Sequence, residues 1–522
     1  MADDRSIEFV VDGTTVSVPG EGSLLDALRE TVGRRSVKDG CSPQGQCGCC
    51  TVWVDGAPRV ACVTPVNRVR GRTVTTVQGL PGVDRWCDAF VGAGASQCGF
   101  CTPGIVMRLA ALDADTRRDR AAVRRSLLAH VCRCTGWNSV VDAARLVEDG
   151  PAAGVIGSRR DPGAAERRAE LEGGVPQRVG REVVVGAGGF ADDEVPPDAL
   201  VGQRGPDGEW VLAPTLAAAR ASSGKVQGRR TTAPLRWPID VPDGDWVRTL
   251  RTTWVEPGYL EPDATWCVPG GVPASTRGNG GAFGAKSSDE LGALARRLAD
   301  EHGRPVRLVM SREDVVRSGP KRPPMAIGVR ADGSGVVRVA RTDGIAAVIR
   351  SAAPMIDVVE VDVPGPPTST SVRAAGWAEV LAVLATLDDG PTCVVTGPSG
   401  GTAEAVVSAD GAIRVSVRCG TVLDDVVLRS YCVGAAHMAF GWVTSEAISV
   451  SDDGEPLDLT MRSFGIVRAV DTPVIDVEVG ADDGPPVNGS DAVFAAVAAA
   501  VWRAEGLVSH WPTRRGSTDR PR

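Results

Sequence analysis

The sequence predicts an α+β chain in three parts: a small sheet-and-helix unit, a compact helical bundle, and a larger mixed α/β region. Three observations carry this prediction. Strand-like alternation flanks a short helical pattern over residues 6–65. Ten of the 14 cysteines lie before residue 135, and four of them fall in "CSPQGQCGCC" (41–50). The chain has 522 residues, more than one ordinary domain, and its 43% hydrophobic content suffices for several cores.

The elements follow in order. "SIEFVVDGTTVSVPG" (6–20) alternates and contains Asp12-Gly13, a hairpin turn signal. "SLLDALRETVG" (23–33) has apolar residues at helical spacing behind Ser23, a fitting N-cap. "CTVWVDGAPRVACVTP" (50–65) is a second hairpin round Asp55-Gly56, with Cys62 expected on its returning strand. The cysteine loop lies between helix and hairpin. Cys41, Cys47 and Cys50 run C-x5-C-x2-C, and Cys62 follows. A cysteine loop followed by a strand-borne thiolate is the ligand arrangement of plant-type [2Fe–2S] clusters, whose usual first gap is one residue shorter. Gly40, Gly45 and Gly48 let the backbone turn tightly and aim N–H groups at sulfur. Cys49 stands in the place of a non-ligand. Zinc is the competing reading, but it prefers two C-x2-C knuckles, and this loop has one.

A second group follows. "SQCGFCTPG" supplies Cys98 and Cys101, and "HVCRCTGW" supplies Cys132 and Cys134. Between them "AAVRRSLLAHV" places Val123, Leu127 and Val131 on one helical face, and Pro103 suits the start of a helix after Cys101. Residues 85–148 read as a bundle that brings two cysteine pairs together at facing helix ends. Beside the first loop, a second [2Fe–2S] centre is expected.

Composition narrows the class. A net charge of −8 leaves no basic footprint for nucleic acid. The N-terminus shows no secretory pattern, and the apolar run 492–502 is too short to span a bilayer. A cytoplasmic protein without a membrane is expected. Clustered thiols there mean metal or redox chemistry rather than disulfides.

"DGCSPQGQCGCCTVWVDG", "QCGFCTPGIVM" and "CRCTGWNSVVDA" together resemble the iron–sulfur subunit of the xanthine dehydrogenase/aldehyde oxidase family of molybdenum hydroxylases, almost continuously over residues 5–148. The resemblance implies a β-grasp [2Fe–2S] ferredoxin-like domain (1–80) and a four-helix [2Fe–2S]-binding domain (81–150). It also implies that Gln97 and Cys134 touch a molybdopterin. Residues 151–175 are rich in Gly, Ala and paired charges and read as a linker, with a short helix over "AAERRAELE".

From 176 to 522, "GREVVVG", "RPVRLVMS" and "GVVRVARTDG" are strand-like, and 289–303 and 491–506 are amphipathic helices. No G-x-G-x-x-G follows a strand, and no flavin-domain signature is present, so no FAD is expected in this chain. "VEPGYLEPDATWCV", "GGAFGAKSSDELGALARRLADEHGRPVRLVMSRED" and "PPVNGSDAVFAAVAAAVWRAEG" resemble, in order, a shortened molybdopterin-binding subunit. That resemblance puts Phe283, Gly284 and Arg373 beside the cofactor. It puts Asp424, Asp425 and Val426 where a phosphate-binding glutamine loop belongs. Gly484 takes the place of the catalytic glutamate, with Asp483 as the substitute base.

Two readings remain. One is an oxidoreductase component that passes electrons through two [2Fe–2S] clusters between a molybdopterin centre and a flavin or other acceptor. Its substrate would be an aldehyde or N-heterocycle, and its partners a flavoprotein subunit and a full molybdopterin-binding subunit. The other is an electron-transfer scaffold whose C-terminal region no longer binds molybdopterin.

Overall fold

A computed structural model describes residues 6–150, 161–225, 227–275, 280–286 and 289–514. The first unit is a five-stranded sheet. In spatial order its strands are Thr14–Pro19, Ser6–Val11, Thr73–Thr75, Thr51–Val54 and Ala57–Val60. Both predicted hairpins are present, with Asp12, Gly13, Asp55 and Gly56 all at positive φ as their tight turns require. Ser23 caps its helix, its Oγ accepting from the Asp26 amide at 3.1 Å. That helix is short: Leu24–Asp26 passes into a π-helical turn, Ala27–Thr31. Cys62 is not on the returning strand. It lies in the single 3₁₀ turn Ala61–Val63 just beyond it, where the chain bends back toward the loop.

The second unit holds the helices Val83–Gly92, Thr102–Ala110, Arg120–Ser126 and Asn138–Asp149, with a shorter one, Ala114–Arg118, between. Pro103 sits in the first turn of its helix as predicted. Val123 and Leu127 are fully buried, but the helix stops at Ser126, so Val131 lies in the loop beyond it.

Residues 151–160 of the expected linker lie outside the described residues. The remainder carries the helix Pro162–Gly173, whose Arg168 and Glu172 are buried. "GREVVVG" forms a helical turn, Arg181–Val184, not a strand. Val183 and Val184 are buried against the helices of the second unit, and that packing overrides their β preference.

The C-terminal region contains three four-stranded sheets. Its core is the Asp425–Thr444 helix packed on the alanine-rich Ser490–Ala504 helix. The former is long and apolar enough to cross a membrane, but 78% of its apolar window is buried inside the protein, as in a core helix. The predicted helices 289–303 and 491–506 appear as Glu290–His302 and Ser490–Ala504.

The parts are joined by buried charge. Arg29 and Arg307 both grip Asp192, and Arg307 also holds Glu30 at 2.7 Å. Lys38 pairs with Asp193. Arg133, between two cysteines, makes a two-pronged bond to Glu446 at 2.7 and 2.9 Å, with both side chains buried.

Candidate metal centres

The chain brings its clustered thiols together in two places. Cys41 neighbours Cys47 and Cys62, and Cys62 in turn neighbours Cys50. Backbone N–H groups point at these sulfurs: the Gln44 amide donates to Cys41 Sγ at 3.1 Å and the Cys62 amide to Cys50 Sγ at 3.5 Å. Gly40 leaves the room they need. A Cβ there would lie 3.1 Å from Cys47 Sγ and 3.2 Å from Cys49 Sγ. The neighbouring thiols, Cys47 first, hold the Cys41 thiol well below its ordinary range, while the same contacts push Cys47 and Cys62 up.

In the second place, Cys98 Sγ lies 3.5 Å from Cys134 Sγ, Cys134 contacts Cys132, and Cys132 contacts Cys101. Cys132 is held low by Cys101 and Cys134, and the Thr135 hydroxyl lies 3.1 Å from its sulfur. All eight cysteines are buried and none forms a disulfide. Among the described residues, no three His, Cys, Asp or Glu side chains close round a single-ion position. The thiols form two chains of neighbours.

The two places touch. The Val131 amide, adjacent in sequence to Cys132, donates to the Cys47 carbonyl at 3.0 Å. The helix that begins after Cys101 rests on Gly48 and Cys49, so closely that a Cβ at Gly104 would collide with their carbonyls. His130 packs on Gly48, its Nε2 3.3 Å from Thr51 Oγ1, and burial pushes it down to about 4.

On the molybdopterin side, some of the matched residues meet. The Arg373 amide donates to the Phe283 carbonyl at 2.9 Å, and its guanidinium lies 4.3 Å from the Phe283 ring centroid. Phe283 and Gly284 are both at positive φ. Arg373 also pairs with Asp491 at 2.8 Å and bonds to Ser490, at the start of the last helix. Gln97 donates to the Cys134 carbonyl at 3.0 Å and to Ser430 at 2.9 Å, tying the second cysteine group to the long core helix. Its Oε1 is buried without a hydrogen-bond partner, as is the Tyr431 hydroxyl on the same small cavity.

Other matched positions are turned to structural use. Asp424 is the N-cap of the Asp425–Thr444 helix, accepting from the Val427 amide at 2.8 Å, and Asp425 pairs with Arg429. Asp482 accepts from the Gly420 and Gly484 amides, at 2.9 Å each. Asp483, the candidate base, is exposed beside it. A general base must reach the proton it takes inside a water-excluded site, and this position faces solvent instead.

Among the described residues, the space between the 421–422 and 487–490 loops is filled from within. Arg168 donates to the carbonyls of Thr421, Val422 and Val487 at 2.6–2.9 Å and pairs with Glu172 at 2.9 Å. Glu172 accepts from the Gly489 and Ser490 amides, at the N-terminus of the last helix. The cavity beside Gln97, closed by Ala169 of the same helix, measures about 20 Å³, and the one beside Phe283 and Arg373 about 30 Å³. Each has room for about one water, where organic cofactor sites run to roughly 300 Å³ and more. The described residues around these two cavities do not fit a molybdopterin. Arg133 and its partner Glu446 were missed in the sequence, because a long-range ion pair leaves no local pattern; Arg168 and Glu172 stand at i,i+4 spacing on one helix, a pattern that reads as an ordinary solvated pair until the helix is seen buried.

Comparison with known proteins agrees with the cysteine geometry. Residues 4–79 match the 2Fe-2S iron-sulfur cluster binding domain, and residues 76–145 the [2Fe-2S] binding domain. The nicotinate dehydrogenase small FeS subunit of Eubacterium barkeri is 38% identical over 148 residues, 27% of this chain and 92% of that protein. The xanthine dehydrogenase iron-sulfur-binding subunit of Escherichia coli O157:H7 is 37% identical over 149 residues, 26% of this chain and 90% of that protein. The aldehyde oxidoreductase of Megalodesulfovibrio gigas is 33% identical over 233 residues, 42% of this chain but only 24% of that protein. The solved aldehyde oxidoreductase from Desulfovibrio desulfuricans ATCC 27774 shares the fold, with a TM-score of 0.71 and 15% identity over 98% of this chain and 99% of that one. On its iron–sulfur portion, about a quarter of its length, the chain belongs to the xanthine dehydrogenase/aldehyde oxidase family of molybdenum hydroxylases, as an iron–sulfur oxidoreductase component.

Proposed function

We propose that this chain is a two-centre electron relay. Cys41, Cys47, Cys50 and Cys62 hold one [2Fe–2S] cluster, and Cys98, Cys101, Cys132 and Cys134 hold the other. Such clusters supply one-electron redox chemistry when bound. The chain's part is to present thiolates, shield them from water and fix their spacing. The observation that carries the reading is the pair of buried four-thiol groups bridged by the Val131-to-Cys47 hydrogen bond.

The electrons pass between a molybdopterin centre on a separate subunit and a flavoprotein or other acceptor, and the substrate oxidised there is an aldehyde or N-heterocycle. What supports placing molybdopterin elsewhere is the self-filled C-terminal core: about 20 Å³ beside Gln97, and a carboxylate at the amides of Gly489 and Ser490. All fourteen cysteines are free, which suits a reducing compartment such as the cytoplasm.

Metal analysis and EPR of the purified chain test this. Four iron and four acid-labile sulfides per chain, with two distinct reduced signals, are expected. Cys132→Ala should lose half the iron. Zinc in either group, or near-stoichiometric molybdenum after expression in a host that makes the cofactor, would overturn the proposal.

A further inference from the structure

Arg312 is the buried cation that the structure leaves without a counter-charge. It is 0% exposed. Every other buried lysine or arginine among the described residues has a carboxylate partner, as Arg29 has Asp192, Arg133 has Glu446 and Lys321 has Glu256. Arg312 has carbonyls instead. Its Nη2 donates to those of Gly40 and Leu260, at 2.7 Å each, and its Nε and Nη1 are buried without a hydrogen-bond partner. The Tyr259 ring centroid lies 5.8 Å from the guanidinium. Glu313, next in sequence, is engaged elsewhere: it accepts from Gln44 Nε2 at 3.0 Å and from the Gly228 amide at 2.6 Å. Position adds a second penalty. Arg312 opens the helix Arg312–Ser318, at the end where the backbone dipole disfavours a cation. An unpaired buried charge is costly enough that some other group must offset it.

Its place in the fold identifies that group. Gly40, whose carbonyl takes the guanidinium, precedes Cys41, and a Cβ on it would lie 3.1 Å from Cys47 Sγ. Gln44, held by Glu313 of the same helix, donates its own amide to Cys41 Sγ at 3.1 Å. The first turn of the helix thus grips both flanks of Cys41. Resting on the relay reading above, we infer that Arg312 is the resident counter-charge of the centre held by Cys41, Cys47, Cys50 and Cys62. It is a positioning residue that acts through the Gly40 carbonyl and through its own field. Four thiolates round a two-iron cluster leave it net negative, and an added electron deepens that charge. A fixed cation in a low-dielectric interior stabilises the reduced form most and raises the potential. One electron enters or leaves, no bond is made or broken, and the guanidinium keeps its protons throughout.

The experiment is an EPR-monitored redox titration of the intact chain with two variants. Arg312→Gln keeps a donor and drops the charge, and Arg312→Lys keeps the charge. Arg312→Gln should weaken reduction of one cluster about tenfold, a fall of ~59 mV for one electron, and leave the other in place. Arg312→Lys should restore most of that fall. Both variants should keep four iron and four sulfides. Loss of one cluster in Arg312→Gln, with both kept in Arg312→Lys, would also support the inference, because the charge is then what that cluster needs. An unchanged midpoint in Arg312→Gln would overturn it. So would equal falls in the two variants, or loss of a cluster in both, since donor geometry or packing would then be the whole role. The relay reading is tested separately, by the iron content and the two signals of the unmodified chain.

Discussion

In residues 6–150 buried sulfurs face one another in two groups. In residues 161–514 buried charged side chains such as Arg168 and Glu172 complete each other's bonds. Gly40 holds space open beside Cys47 and Cys49, whereas Arg168 and Glu172, each 0% exposed, close space between three loops. The first interior is built to receive an inorganic group, whereas in the second the space around Arg168 and Glu172 is taken up by its own residues. A likeness in fold does not by itself carry a cofactor with it. A fold outlasts a site because packing tolerates many solutions and a binding cavity tolerates few.

The sharpest way to break this contrast is Glu172→Ala. It strands the Arg168 guanidinium in the core, and losing one partner of a buried pair costs about 3–5 kcal/mol. Urea unfolding followed by tryptophan fluorescence should show that loss, with iron per folded chain unchanged. An unaltered midpoint would show that the pair does not hold the C-terminal core together.

A second test uses one histidine from each half. Burial pushes both His130 and His437 down to about 4. The unfolded chain takes up protons near pH 6.5 and the folded chain does not until far lower. Stability is therefore complete above pH 6.5 and falls as pH drops toward 4, by at most about 3 kcal/mol per histidine. Denaturation midpoints at pH 7, 6 and 5 should decrease in that order. A flat profile would mean that the rings are solvated in the folded state.

The smallest effect sharpens the first half alone. Ser23→Ala removes the cap on the helix before the cysteine loop and should cost about 1 kcal/mol, read from the same unfolding curves, with both clusters retained.

Much of the first half was legible because its signals are local. Asp12-Gly13 and Asp55-Gly56 specify their turns within two residues, Ser23 caps within three, and the cysteine spacing names its own chemistry. Cys62 was misplaced because the strand pattern ran on past the point where tertiary contacts bend the chain. "GREVVVG" read as a strand from its β-branched residues, yet burial against two helices made it a helical turn. The second half was harder for a physical reason. Arg133 meets Glu446 and Arg168 meets Val422 across hundreds of residues, and nothing near either arginine announces its partner. Even the aspartates at 424 and 425, legible as misfits to a phosphate site, showed their use only once the helix they begin was seen.

The hydrogen bond from Val131 to the Cys47 carbonyl bears on time as well as place. An electron tunnels at a rate that falls steeply with the gap it crosses. Here the gap is spanned by main chain: the peptide unit joining Val131 to Cys132, one hydrogen bond, and the backbone of Cys47. Side chains hop between rotamers, but those at the ends of this span, Cys47 and Cys132, are buried and would be pinned by the clusters they hold. The exchange rate becomes a property of how two small units dock, and surface substitutions should leave it alone while anything that loosens the docking slows it.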